Sequence, residues 1–188
     1  MKKNNIDNKG FSLIEMMVVV VILGLIVLGL VTFFTGGAKS WVTGQSQLTA
    51  QRNARQAIDR MVREIREGKV VKSGSATNIT VAIPEFKTDT STIPAYEVTY
   101  ILSVTTIKRG TTPLIDNVLI TEEDIFEYFD SVKQYIPDDT DESINLSKNI
   151  SKISKIHINL KVDVDKDGSP DVTLNTDVTL RNYGYEDE

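Results

Sequence analysis

Residues 10–38 read GFSLIEMMVVVVILGLIVLGLVTFFTGGA, and the interpretation of every other segment turns on this one. Between Phe11 and Phe34, 19 of 24 residues are apolar and Glu15 is the only charge; from Met16 to Ala38 there are 23 consecutive uncharged residues. A helix of about 20 such residues crosses a ~30 Å hydrocarbon layer, so the stretch predicts one transmembrane helix. Lys2, Lys3 and Lys9 precede it, and the positive-inside bias assigns that tail to the cytoplasm and everything beyond Lys39 to the outside. A cleaved secretory signal has an apolar core of only about 7–15 residues, although Gly36 and Ala38 mimic its small-x-small site. An uncleaved signal anchor is the plainer alternative. Neither accounts for Glu15, a carboxylate inside the apolar run that costs ~3 kcal/mol to insert and in such a place ordinarily serves a function.

Outward from this segment the chain divides by charge. The 188 residues carry a net −5, but residues 1–72 are net +6 and residues 73–188 are net −11. A nucleic-acid binder concentrates cations on its folded domain, so the acidic outer part argues against that partner. The chain has no cysteine, which removes disulfide staples, thiol nucleophiles and thiolate metal sites. There is no His/Cys cluster, G-x-S-x-G or phosphate loop, and an enzyme is not expected. The single histidine, His157, falls on the polar face of a strand pattern with Lys155 and Asn159, as an exposed surface residue.

Beyond the apolar run, Ala54, Ala57, Ile58, Met61, Val62 and Ile65 form an i, i+3, i+4, i+7, i+8, i+11 stripe, the signature of an amphipathic helix over residues 39–68. If it continues the membrane helix to Glu67, the two span 57 residues, roughly 85 Å at about 1.5 Å per residue, with Gly68 as the stop. Arg52, Arg55, Arg60, Arg63 and Arg66 line the remaining surface, solvated or facing acidic patches of neighbouring subunits.

From residue 73 onward the pattern is sheet-rich. Ser73–Ser75 and Lys87–Pro94 read as loops. Asn78–Ile83 and Tyr96–Val104 read as strands, Ile107–Arg109 is followed by a turn at Gly110 and a second at Pro113, and Ile125–Phe129 is an apolar cluster. The clearest pair places Ile156, Ile158, Leu160, Val162 and Val164 on one face, and Val172, Leu174, Thr176, Val178 and Leu180 on one face of the next strand. Residues 165–168 mark the hairpin turn between them. Asp163, Asp165, Asp167, Gly168 and Asp171 also match positions 1, 3, 5, 6 and 9 of a calcium loop, although position 12 is Leu174 instead of glutamate. A polar turn favours the same residues, and strand alternation turns Asp163 and Asp165 away from the core face with or without a metal.

Lys9-Gly10-Phe11-Ser12-Leu13-Ile14-Glu15-Met16 resembles the processing site of the type IV pilin family. The resemblance implies a leader of residues 1–10, cleavage between Gly10 and Phe11 by a prepilin peptidase, methylation of the new N-terminus, and a transmembrane and assembly helix over 11–38. Glu15 would neutralise the buried amine of Phe11, within its own helix or on a neighbouring subunit. Arg52–Met61, Asp116-Asn117-Val118, Phe126–Asp130 and Thr176–Asn182 are similar to the J-type pseudopilin and PilW-type minor pilin branch. The resemblance further implies an α+β pilin fold over 39–188, a long N-terminal helix with its outer half packed against an antiparallel sheet. It implies no required cofactor, with calcium in a C-terminal loop as in some pseudopilins. It also implies partnership with other pilins and a membrane assembly platform, and a passage from the cytoplasmic membrane (N-in, C-out) to a surface pilus or pseudopilus. An uncleaved, signal-anchored binding or sensor domain is the alternative.

Overall fold

The computed structural model describes Gly10 and residues 12–87, 91–121, 123–131 and 133–181. One helix, α1 (Leu13–Arg66), runs for 54 residues without interruption through Gly36 and Gly37. A Cβ at either glycine would meet nothing within 4 Å, so neither marks a close approach within the chain. By compactness the chain forms two units, Met1–Gln45 and Ser46–Glu188, with the boundary inside α1.

In the second unit the expected stripe is the buried face of the helix: Ala54, Ala57, Ile58, Met61 and Ile65 all lie in the core. The helix stops where the chain must pass close to the sheet. The Gly68 amide donates to Ile65 O at 2.9 Å, and a Cβ on Gly68 would fall 2.2 Å from Val81 Cγ1. Gly68 is outside the left-handed region, so closeness of approach, not the usual left-handed cap, is what requires glycine here.

Among the described residues eleven short strands follow, paired antiparallel. They are β1 (Val70–Gly74), β2 (Asn78–Ile83), β3 (Phe86–Lys87), β4 (Thr92–Ile93), β5 (Tyr96–Ser103), β6 (Thr106–Arg109), β7 (Thr112–Ile115), β8 (Phe126–Phe129), β9 (Gln134–Tyr135), β10 (Lys155–Val162) and β11 (Val172–Thr179). They make a five-stranded sheet in the order β1-β2-β5-β6-β7, a four-stranded sheet β11-β10-β8-β9 and a two-stranded ribbon β3-β4. The class is α+β, as expected, with the β-structure divided among three sheets where the resemblance implies one.

Alternation decides which faces are inside. Ile79, Val81 and Ile83 of β2, Val98 and Tyr100 of β5, Phe126 and Tyr128 of β8, and Ile156, Ile158, Leu160 and Val162 of β10 join the helix stripe in one apolar core. Burying each of the larger side chains contributes about 2 kcal/mol. Tyr128 ties the two large sheets together: its hydroxyl donates to Ser75 O at 2.9 Å and to Asn78 O at 2.8 Å. Gly74 lies against its ring, where a Cβ would come within 2.6 Å of Cζ.

Several local expectations are corrected. Ser73 and Gly74 belong to β1 and are not loop, because Val71 is buried and the segment pairs with β2 through a bulge between Val71 and Ser73. The Lys87–Pro94 segment contains part of the ribbon β3-β4, its tip lying outside the described residues. Pro113 does not turn the chain but sits in β7, an edge strand, where its missing N–H leaves no central ladder bond unmade. His157 is not a free surface residue: its Nδ1 lies 2.6 Å from Asp177 Oδ1 across the β10-β11 pair, and hydrogen bonding to His157 holds the Asp177 carboxyl low. Asn159, expected on the polar face, is buried, its Nδ2 donating to Glu123 Oε2 at 2.7 Å.

A polar clamp fixes the helix to the five-stranded sheet. Glu64 accepts from Arg109 Nε at 2.7 Å and from the Tyr100 hydroxyl at 2.6 Å on one oxygen, and from Arg60 Nε at 3.1 Å on the other. Burial pushes the Glu64 carboxyl up, but the three donors outweigh it and hold it below its ordinary value. Burial and the adjacent carboxylate push the Tyr100 hydroxyl well up, so it stays a donor at neutral pH.

Two outcomes follow from this packing. A fragment beginning at Ser40 should fold as a soluble, largely monomeric domain, checked by circular dichroism and sedimentation. In that fragment Glu64→Gln should cost about 1–2 kcal/mol in urea unfolding at pH 7, since charge-assisted bonds are replaced by weaker neutral ones. Because the folded-state value of Glu64 is depressed, its contribution is complete above the unfolded carboxylate range and is lost as pH falls through the folded value. The gap between wild type and Glu64→Gln should therefore narrow on acidification below about pH 4.5; a gap that widens in acid would contradict the clamp.

Candidate functional site

The first candidate is the start of α1. Ser12 precedes the helix and its carbonyl accepts from the amides of Glu15 at 3.0 Å and Met16 at 3.2 Å, which closes the first turn. Gly10 is exposed, and a Cβ there would meet nothing within 4 Å. No described residue therefore shields the Gly10 side of the predicted scissile bond from a protease. Phe11, the other half of that bond, lies outside the described residues, as does the Lys-bearing tail of residues 1–9. Glu15 sits exposed in the first turn, where a carboxylate complements the positive end of the helix dipole.

The apolar length of α1 meets the dimensions of a membrane span, and none of its most apolar window is buried against the chain itself. Leu13, Ile14, Met16 and the valines and leucines through Phe34 are all exposed. The hydroxyls interspersed in this part are turned back onto the helix: Thr32 Oγ1 donates to Gly29 O at 2.9 Å and Thr35 Oγ1 to Val31 O at 2.9 Å. Such internal satisfaction is what a lipid environment requires of a polar group. Gly24 and Gly29, like the Gly36-Gly37 pair, have open space where a Cβ would be.

The second candidate is the loop joining β10 to β11. Asp163, Asp165 and Asp171 each present a carboxylate oxygen within 4.8 Å of the others. Asp163 is 7 % exposed, contrary to the outward position expected from strand alternation, because the chain leaves the strand there. It folds the loop around itself, its two oxygens accepting from the amides of Lys166 at 2.7 Å and Gly168 at 2.9 Å. Both turn residues, Lys166 and Gly168, have positive φ, and at Gly168 (φ 89°) the absence of a side chain removes the strain.

Asp171 accepts from the Val164 amide at 2.8 Å on one oxygen and from Gln47 Nε2 at 2.9 Å on the other, tying the loop to α1. The Val164 bond leads in holding its carboxyl low. Desolvation and the neighbouring carboxylates of Asp167, Asp171 and Asp163 push Asp165 up, the response of an acid crowded by like charges. Asp167 is not part of the converging trio; it accepts from the Ser169 amide at 2.7 Å. Each carboxylate oxygen that accepts one N–H retains a second lone pair, so three residues fit a hard cation while Asp167 and Leu174 do not add to the set. The acidic spacing is visible in the sequence, but Gln47 is not, since its role appears only when the loop folds back on the helix.

Comparison with known families matches a prokaryotic N-terminal methylation motif over residues 6–31. No curated protein matches the chain. The motif covers the helix start and much of the exposed apolar run, and together they support a type IV pilin-like chain, membrane-anchored through α1 and bearing the signal for processing by a prepilin peptidase.

Proposed function

We propose that this chain is a structural, non-enzymatic subunit, a minor pilin or pseudopilin of a type IV pilus or a type II secretion-like pseudopilus, nearest to the J-type and PilW-type branch. The observation that carries the reading is a methylation motif set at the start of a helix whose large apolar side chains from Leu13 to Phe34 are exposed. In the membrane those side chains face lipid; after extraction into a filament they face the helices of other subunits. The prepilin peptidase cuts between Gly10 and Phe11 on the cytoplasmic side and releases residues 1–10. The methylated amine of Phe11 then starts a helix whose dipole is already positive, and Glu15 supplies the compensating charge. Glycines with open space beside them let neighbouring helices approach closely. Charge also favours association over nucleic-acid capture, since the outer part is net −11 and the helix carries the arginines.

The mature chain is expected to begin at Phe11, with mass spectrometry of membrane-extracted protein as the check. An intact leader would transfer support to a signal-anchored binding or sensor domain, and an N-terminus near Lys39 to a secreted one. Glu15→Ala should leave that cleavage intact and reduce co-purification with other pilins and the assembly platform. Processed Glu15→Ala protein that co-purifies normally would remove the carboxylate from the assembly mechanism.

A second reading applies to the β10-β11 loop, where Asp163, Asp165 and Asp171 would hold calcium through carboxylate oxygens. The ion would offset the desolvation and the like-charge repulsion that raise Asp165 and would brace the hairpin against Gln47. Calcium at ~100-fold its dissociation constant should stabilise the soluble fragment by about 2.7 kcal/mol. Chelator should lower the melting temperature, and Asp165→Ala should abolish the difference. Equal melting in millimolar calcium and in chelator would leave the loop as a polar turn held by the hydrogen bonds of Asp163 and Asp171.

A further inference from the structure

The chain's single tryptophan, Trp41, stands just past the apolar run, on the part of α1 that belongs to the first unit. It is 70 % exposed. Between Phe34 and Trp41 the helix reads Thr35-Gly36-Gly37-Ala38-Lys39-Ser40, without a large apolar side chain, so the indole is set apart from the run by nearly two turns. Lys39 is exposed close by. An indole joins an apolar ring to an N–H donor, which suits neither water nor hydrocarbon but the headgroup layer between them.

Two depths of α1 in a bilayer compete, and the helical rise separates them. Centring the large apolar side chains would put residues 13–34, about 33 Å of helix, in the ~30 Å hydrocarbon layer. Glu15 would then lie in hydrocarbon, and Trp41 would stand about 10 Å outside it, beyond a headgroup layer roughly 5–7 Å thick. A shift of about one turn instead puts residues 18–37 in hydrocarbon, about 30 Å of helix. Glu15 and Trp41, 26 residues or about 39 Å apart, then both reach headgroup layers, since the whole bilayer measures about 40–45 Å.

The shift moves Leu13, Ile14, Met16 and Met17 out of hydrocarbon, but a carboxylate costs more there than four such side chains gain. The residues that enter suit it. Thr35 Oγ1 donates to Val31 O at 2.9 Å, and Gly36 and Gly37 add no polar side chain.

We infer that Trp41 docks in the outer lipid headgroup layer, with Lys39 against the lipid phosphates, and sets the depth of α1. The inference rests on the membrane-anchored, N-in reading of that helix. Residues 18–37 lie in hydrocarbon, Glu15 stays hydrated at the inner surface until assembly, and Gly10 is held clear of the lipid for the peptidase.

The test uses the full-length chain in phosphatidylcholine vesicles, where Trp41, as the one tryptophan, reports its own depth. Lipid brominated near the headgroup should quench its emission about twofold more than lipid brominated near the chain ends. Stronger quenching by the deep label would put the indole in hydrocarbon, and quenching by neither would put it in water or against protein; each result overturns the inference. Single cysteines and a membrane-impermeant maleimide follow depth in intact cells. Gly36→Cys should be protected beside Trp41, lose that protection with Trp41→Ser and keep it with Trp41→Tyr, because tyrosine also prefers the interface. Protection unchanged by Trp41→Ser would contradict the anchoring role. Ile26→Cys separates this inference from the membrane reading itself. Its labelling would take α1 out of the bilayer and both readings with it, whereas a protected Ile26→Cys with Trp41 unquenched by the shallow label sinks the docking alone.

Discussion

Everything in the outer unit depends on one buried stripe, Ala54, Ala57, Ile58, Met61 and Ile65, laid against two antiparallel sheets. The strands are short and could not bury enough area alone, as small sheets gain stability only when a helix or another sheet covers a face. The helix supplies that cover, and Glu64 sets its position on the five-stranded sheet. A carboxylate holding Arg60, Tyr100 and Arg109 together is favourable only when all three donors are in place. At the other large sheet Tyr128 plays a comparable part, placing its hydroxyl on two carbonyls of the β1-β2 connection.

The same helix must satisfy two solvents. In its first part the residues exposed to the surroundings are mostly apolar and the hydroxyls of Thr32 and Thr35 bond to helix carbonyls; in its last part the exposed residues are polar, with Arg52, Arg55, Arg60, Arg63 and Arg66 among them. A continuous helical backbone therefore carries an exposed apolar segment and one side of a globular core, without a proline to break it. The proposed passage of a subunit from bilayer to filament would use this arrangement, because the apolar length would stay covered by lipid or by neighbouring helices while the outer domain stays folded.

Elements with a strong period are legible in the amino-acid order itself. The transmembrane run, the Ala54–Ile65 stripe, β2, β5 and the β10-β11 pair each combine length with strict alternation or helical spacing. What is not legible has physical causes. β1 is a five-residue strand following directly on the helix stop, and its alternation is broken by a bulge. The ribbon β3-β4 has two-residue strands, too short for any period. Pro113 gives the same signal in a turn and in an edge strand. At the candidate sites, the processing motif and the acidic spacing are legible because both are local. Gln47 on Asp171 and Glu64 on Arg109 are not, because they join residues distant in sequence whose meeting depends on the whole outer fold. Asp163 is buried because the chain turns in at the end of β10, a tertiary event that alternation does not encode.

The proposed function divides one helix between lipid and water, with its N-terminal end inside the cell. The absence of cysteine allows a direct measurement, since single cysteines placed along α1 react without background. With a membrane-impermeant maleimide applied to intact cells before filament assembly, cysteines at Leu23 and Leu28 should be unreactive. Those at Arg52, Arg55 and Arg63 should label fully, and those at Ala57 and Met61 should label only after unfolding. Uniform labelling along the helix, or labelling of the arginine positions only from the cytoplasmic side, would contradict that division.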